Sequence, residues 1–221
     1  MKILYEDKYL LICEKPVGVP SQKSEKGEDM LSLLGKYRKD QGEDDYVGLV
    51  HRLDTATGGA MIYSKQQQIT GKLCEAIKGE DYVKEYLAVV EGRPDEDCGE
   101  LCDLLYHDKM KNKSFVVKKK RAGVKSARAT YELLDIREID GGRVVSLIKV
   151  RLITGRTHQI RVQFSSRKMP LLGDGKYGSR DNKADMALWS HRIEFMHPVT
   201  REKLTAQSNP PNEYPWLLFD L

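Results

Sequence analysis

Short apolar runs, each bounded by charged or by glycine- and proline-rich stretches, set the rhythm of this chain. Residues 3–5 and 9–13 flank Glu6-Asp7-Lys8 and predict a short hairpin. Lys15-Pro16-Val17-Gly18-Val19-Pro20 ends it, because each proline fixes φ and removes a backbone donor. Over residues 28–41, Met30, Leu31, Leu33, Leu34 and Tyr37 form a broad apolar face at helical spacing. Strands are predicted at 47–50 and 60–63, with His51 to Gly59 as the connection between them. Ser64-Lys65-Gln66-Gln67 matches a helix capping box. Ile69, Leu73, Ala76 and Ile77 supply the buried side of that helix, and Lys78-Gly79 closes it.

The second half is richer in strands. Residues 83–91 alternate, with Tyr86, Ala88 and Val90 on one face and Glu85, Leu87 and Val89 on the other. Further strands are predicted at 114–117, 127–136 and 143–153, the last two joined through Asp140-Gly141-Gly142. Thr154-Gly155-Arg156 leads into a short helix with Ile160 and Phe164 one turn apart, and 189–196 with 203–206 form a late hairpin. No repeat, low-complexity tract or linker interrupts the chain. The expected fold class is α+β: one domain over residues 1–221, a mixed, mainly antiparallel sheet flanked by helices.

Composition adds exclusions. Of the 221 residues, 40% are hydrophobic and 32% charged, and no apolar run approaches the roughly 20 residues of a membrane-spanning helix. Glu6-Asp7 stands where a signal peptide would continue its apolar core, so a cytoplasmic protein is expected, with a monomer as the default. Cys13, Cys74, Cys98 and Cys102 lack both disulfide-framework and zinc-ligand spacing, so free thiols and no metal are expected. The formal net charge is +4, but residues 107–128 hold nine lysines and arginines against Asp108. That segment is therefore +8 and the remainder −4, a polarity that suits a polyanionic partner. A solvated, lysine-blunted strand edge is the simpler reading of the same residues.

Two stretches carry the chemistry. In His51-Arg52-Leu53-Asp54-Thr55-Ala56-Thr57-Gly58-Gly59, a lone carboxylate beside an arginine sits on a loop between two buried strands, where catalytic groups are held rigidly. The competing reading is a structural turn shaped by the glycine pair. In Thr154-Gly155-Arg156-Thr157-His158-Gln159-Ile160-Arg161-Val162, a strand turns into a helix whose start is dense in donors and suited to anions. Gly173-Asp174-Gly175-Lys176-Tyr177-Gly178 fits G-x-G-x-x-G, but without a surrounding βαβ unit it reads as a glycine-rich turn rather than a dinucleotide site. Nothing matches a kinase, serine-hydrolase or zinc-protease signature.

Together these stretches resemble the RluA-type family of RNA pseudouridine synthases, whose motifs include H-R-L-D-x-x-T-S-G and T-G-R-T-H-Q-I-R-V. Glu14-Lys15-Pro16-Val17-Gly18 is similar to the family's K-P-x-G, Lys84 to Gly92 to its K-x-Y-x-A-x-V-x-G, and Gly173 to Gly178 to its G-D-x-x-Y-G. The blocks run in order from Ile3 to Phe195. The resemblance implies detachment of uracil from C1′ of a uridine in RNA, rotation of the base and reattachment through C5, without cofactor or metal. The base must first leave its stack, at about a few kcal/mol. By the same resemblance Asp54 is the catalytic carboxylate, acting either as a nucleophile on sugar or base or by removing a sugar proton. Either role needs an ionised Asp54 in a dry pocket, where burial disfavours the charge and Arg161 is the guanidinium expected to restore it. Tyr86 stacks on uracil and assists proton removal at C5. Arg52 fills the space left by the base, His51 orients the loop or contacts RNA, and Arg156 and His158 join the RNA-contact set.

Three positions depart from the family pattern: Gly58 for Ser, Ala56 for a frequent Asp, and Gln163 for a frequent His. They bear on loop stiffness and RNA contacts. Only Met1 and Lys2 precede the first matched strand, so no separate S4 RNA-binding domain is expected. The RNA, ribosomal or transfer, is then gripped by the catalytic domain, with Lys118, Lys119, Lys120 and Arg121 as phosphate contacts. The competing readings are a non-catalytic RNA-binding protein, against which Asp54, Tyr86 and Arg161 argue, and a glycosidase, for which no second carboxylate stands out.

Overall fold

The structure, a computed structural model, describes residues 2–25, 27–79 and 81–221. The chain divides into two compact units, Met1–Lys84 with Trp189–Pro210 and Glu85–Leu188 with Pro211–Leu221.

In the first unit, β1 (Ile3–Glu6) and β2 (Leu10–Lys15) form the expected hairpin. Asp7 closes it, its Oδ1 accepting the amides of Tyr9 and Leu10 at 2.7 and 2.8 Å. Helix α1 (Met30–Asp40) begins at Asp29, whose carboxylate accepts the Ser32 amide, and ends with Arg38 and Lys39 at its negative pole. A short β3 (Gly48–Leu49) and β4 (Gly58–Ser64) follow, then α2 (Gln67–Ala76). The predicted capping box is not formed. Ser64 is the fully buried last residue of β4, its hydroxyl donates to the Gln66 carbonyl at 2.7 Å, and Gln66 is the N-cap, without a side-chain capping bond. Burial on the sheet decides the conformation of this serine, and its hydroxyl satisfies a turn.

The chain leaves this unit along β5 (Val83–Glu91). The second unit then adds β6 (Cys98–Asp108), β7 (Lys113–Val117), β8 (Val124–Ile139), β9 (Arg143–Leu152) and α3 (Gln159–Ser166). Its strands are antiparallel in the order β5-β9-β8-β6-β7. Strand β6 is a correction: no strand is predicted there, yet it pairs along nearly its whole length with β8 and forms a hairpin with β7. Helix α3 packs on this hairpin through Val162 and the turn residue Tyr177, which join Leu105 and Ala127 in one buried cluster. The turn between β8 and β9 is the expected glycine pair, Gly141 and Gly142 both at positive φ.

The chain returns to the first unit along β10 (Leu188–Met196) and β11 (Lys203–Gln207), the late hairpin of the sequence pattern. There β2 lies antiparallel along one edge of β4, while the other edge carries β3 antiparallel at one end and β10 parallel at the other. One face of these strands, with Leu10, Ile12, Ile62, Ile193 and Phe195, packs with Ile69 and Leu73 of α2. Leu11, Cys13, Met61 and Tyr63 on the opposite face are buried as well. Every residue of β4 is buried, so the loop that enters it starts from a fixed point. The α+β class therefore holds: mostly antiparallel strands with, among the described residues, three α-helices. Among the described residues, no helix is long and apolar enough to cross a membrane.

Candidate active site

The loop from His51 to Thr57 is held by a dense set of bonds within the first unit. Ser21 Oγ donates to the Leu53 carbonyl at 2.8 Å and accepts the Leu53 amide at 3.1 Å, so one hydroxyl clamps both sides of that residue. The Thr55 carbonyl accepts the Gly18 amide at 2.9 Å and Lys15 Nζ at 3.1 Å. The Thr57 amide donates to the Asp54 carbonyl at 2.9 Å, closing a turn with Asp54 at its head. Leu53 is buried, Asp54 half-buried and Arg52 exposed, with Arg52 Nη1 donating to Gln22 Oε1 at 3.1 Å. Gly58 and Gly59 then enter β4. A Cβ on Gly58 would lie 2.2 Å from Trp189 Cζ3, and one on Gly59 would lie 2.3 Å from the Ser190 carbonyl oxygen. The pair thus serves close approach to β10 as well as the turn, Gly59 adding a φ of +109°.

Two basic side chains shape the electrostatics of the loop. Lys15 is fully buried, and its ammonium donates to the carbonyls of Pro16, Val19 and Thr55 at 2.8, 2.7 and 3.1 Å. Burial lowers its pKa to about 8, with attraction to the Asp54 carboxylate opposing the shift. His51 Nε2 accepts the Ile62 amide at 3.0 Å, which fastens the loop to the middle of β4. Desolvation, with repulsion from Lys84, pushes the His51 pKa down to about 3. The ring is therefore neutral at physiological pH, as an acceptor of a backbone N–H must be.

The second unit places the other expected residues. Tyr86 is buried in β5, opposite Val150 of β9. Arg161, on α3, is buried in a bidentate pair with Asp174: Nε to Oδ2 at 2.7 Å and Nη2 to Oδ1 at 2.8 Å. Its guanidinium also lies 5.0 Å from the centre of the Tyr177 ring. The Tyr177 hydroxyl accepts the Ser114 amide at 2.7 Å and lies 3.0 Å from His158 Nδ1. His158 and Arg161 thus share one aromatic neighbour, with His158 at the helix start in the left-handed conformation, φ 55°. Arg156 Nε donates to the Ser126 carbonyl on β8 at 2.9 Å. The donors of this stretch are largely engaged internally, which differs from the anion-facing helix start the pattern suggests.

Gln163, which stands where the family often has His, is fully buried, and its amide donates to the Leu101 carbonyl and Asp103 Oδ2 of β6. It ties α3 to the sheet. Lys118, Lys119, Lys120 and Arg121 are exposed in the β7–β8 connection, so the basic segment does fall on a β-ribbon.

Lys15, bonded to the Asp54 loop, and Asp174, paired with Arg161, are not singled out by the residue pattern alone, which holds them only as the lysine of K-P-x-G and the aspartate of G-D-x-x-Y-G. Among the described residues no group of acidic, His and Cys side chains is arranged to hold a metal.

A family model described as RNA pseudouridylate synthase matches residues 9–166. The chain is 30% identical over 236 residues to an uncharacterised RNA pseudouridine synthase of Aquifex aeolicus, covering 98% of this chain and 73% of that protein. It is 28% identical over 235 residues to ribosomal large subunit pseudouridine synthase D of Pseudomonas aeruginosa, covering 99% and 71%. Among solved structures, human RNA pseudouridylate synthase domain containing 4 superposes with a TM-score of 0.78 at 22% identity, covering 95% of this chain and 88% of that one, a likeness of fold.

Proposed function

This chain belongs to the RNA pseudouridylate synthase family, in its RluA-type branch, and is an RNA pseudouridine synthase; we propose that it isomerises particular uridines of a folded RNA with Asp54 as the catalytic carboxylate. The observation that carries the assignment is the clamped loop: Ser21, Lys15 and His51 fix the backbone on both sides of Asp54. Such a loop is pre-organised for a reaction whose barrier depends on one well-aimed carboxylate. Tyr86 supplies the aromatic partner of the uracil, Arg161 the guanidinium that favours an ionised carboxylate, and exposed Arg52 the planar group that takes the place of the flipped base. One catalytic domain spans residues 1–221. It works as a monomer in the cytoplasm, without cofactor or metal.

Ribosomal RNA is the favoured substrate over transfer RNA, because named relatives such as the Pseudomonas aeruginosa protein are ribosomal large subunit pseudouridine synthases. RNA from a strain lacking the gene, incubated with wild type or Asp54→Asn and mapped for pseudouridine, tests the whole reading. New sites with wild type alone, in ribosomal RNA, are expected. No new site, or equal modification by the variant, overturns the assignment to Asp54, and sites confined to transfer RNA overturn the choice of substrate.

A further inference from the structure

The ribbon of β6, β7 and β8 has one face against α3, where Leu105, Ser114 and Ala127 are buried. Strand alternation turns the neighbouring residues to the other side. There Tyr106 on β6 and Phe115 on β7 stand directly opposite each other, and Val124 on β8 is the next partner across. Phe115 is 37% exposed, a high value for a phenylalanine at the centre of a strand. The Arg121 guanidinium lies 5.2 Å from the centre of the Tyr106 ring. Lys118, Lys119 and Lys120 follow β7 directly and are exposed.

Blunting of the β7 edge explains lysines but not an exposed phenylalanine among them, set beside a half-buried tyrosine that an arginine covers. An apolar protein surface fits poorly against so many like charges. A nucleic-acid strand fits both features, since it offers phosphates to the cations and planar bases to the rings. We propose that this outer face is a stacking platform for an unpaired base of the RNA substrate. Phe115 and the stacked Arg121–Tyr106 pair supply its planar surfaces. Lys118, Lys119 and Lys120 hold the adjoining phosphates. The proposal rests on the RNA reading above and extends it from charge to base contact, which gives the ribbon a preference for unpaired over paired RNA.

The test compares an oligouridylate of about twelve nucleotides with an abasic chain of equal length and charge, titrated against the full protein over a series of salt concentrations. Wild type should bind the oligouridylate several-fold more tightly. Phe115→Ser should weaken that binding about tenfold, leave the abasic chain unaffected and keep the salt slope, because no charge is removed. Phe115→Trp should retain wild-type affinity, and Arg121→Lys, which keeps the charge but loses the plane, should fall between. No preference for bases in wild type, no loss with Phe115→Ser, or equal losses on both probes would overturn the platform. Pseudouridine mapping with the same wild-type preparation separates the two readings. Base-dependent binding without pseudouridine formation leaves the platform standing and the reaction refuted. Pseudouridine formation with unchanged binding by Phe115→Ser refutes the platform alone.

Discussion

Gly58 lies against the Trp189 ring so closely that a Cβ would come within 2.2 Å of Cζ3 and 2.7 Å of Cε3. The indole cannot swing away easily, since its Nε1 donates to the Ser208 carbonyl and hydroxyl. The serine that the family pattern favours here is thus excluded by a residue far along the chain. Gly58→Ser should destabilise by about 1–3 kcal/mol through overpacking. Combining it with Trp189→Leu should give a smaller loss than the two single costs added together, because the clash is removed. Urea midpoints of the two single variants and the double variant measure the coupling; strict additivity would mean that the ring does not set the glycine.

Lys15 predicts opposite pH effects on activity and on stability. Its ammonium donates to Thr55 in the Asp54 loop and gives up a proton near pH 8. Pseudouridine formation should decline as pH rises through about 8, and Lys15→Met should have low activity without that decline. Stability should move the other way. Burial lowers the folded pKa, so between about 8 and the ordinary lysine range the unfolded chain binds more protons. The contribution of Lys15 to stability therefore rises with pH over that window. A rate profile in which Lys15→Met retains the alkaline limb would assign the limb to another group.

The same features show how far the sequence can be read. Hairpins at both ends, α1, α3 and the β8–β9 turn follow from local periodicity and glycine placement, and the structure contains them. Strand β6 does not announce itself. Leu101 and Leu105 are its well-buried hydrophobic residues, four apart, with Asp103 and exposed Cys102 between, so neither a period of two nor a helical face appears. Pairing with β8 and β7 on either side makes it a strand, a tertiary effect that outweighs local preference. The Ser64 box failed for the same reason, burial in β4 taking precedence over a local capping pattern. Asp54 is a candidate readable in the sequence because its loop is one contiguous motif. The contacts that position it or shape its loop, from Lys15, Ser21 and Trp189, join residues separated by tens of positions and become visible only once strands are paired.

His51 should be silent in the acid limb of the rate profile. Its pKa is held at about 3 by burial and by Lys84, and its Nε2 is an acceptor for Ile62. Activity between pH 5 and 7 should carry no titration that disappears in His51→Gln. His51→Ala, which removes the acceptor, should cost about 1–3 kcal/mol in stability by leaving the Ile62 amide without its partner. Chemical shifts of the His51 ring across that range check the first point directly: a midpoint near 6.5 would contradict it.

Asp174 and Arg161 form a pair that tolerates neither half alone. Both are buried, with two bonds under 3 Å between them. Asp174→Asn keeps the shape but removes the charge opposite a buried guanidinium, and should destabilise by about 3–5 kcal/mol. Asp174→Glu, with the charge kept but displaced, should fold better while remaining poorly active, since Arg161 would be shifted. Thermal unfolding and pseudouridine yield measured on both variants separate charge balance from placement; equal stability of wild type and Asp174→Asn would remove the pair from the account of α3.

Lys118, Lys119 and Lys120 make a prediction about salt rather than about chemistry. These three side chains are exposed, so changing them to glutamine leaves the packed parts of the second unit intact. If each meets a phosphate, the slope of log affinity against log salt should shrink by about 2–3 in magnitude, as roughly 0.7–0.9 of a counterion is released per contact. The variant should therefore bind RNA more weakly at low salt and converge with wild type as salt rises. Phosphate contacts carry no base information, so the set of modified uridines should be the same at reduced rate. A change in which uridines are modified would show that the run reads the RNA rather than grips it. An unchanged slope would mean that these charges meet only solvent, and the grip would then lie elsewhere on the protein.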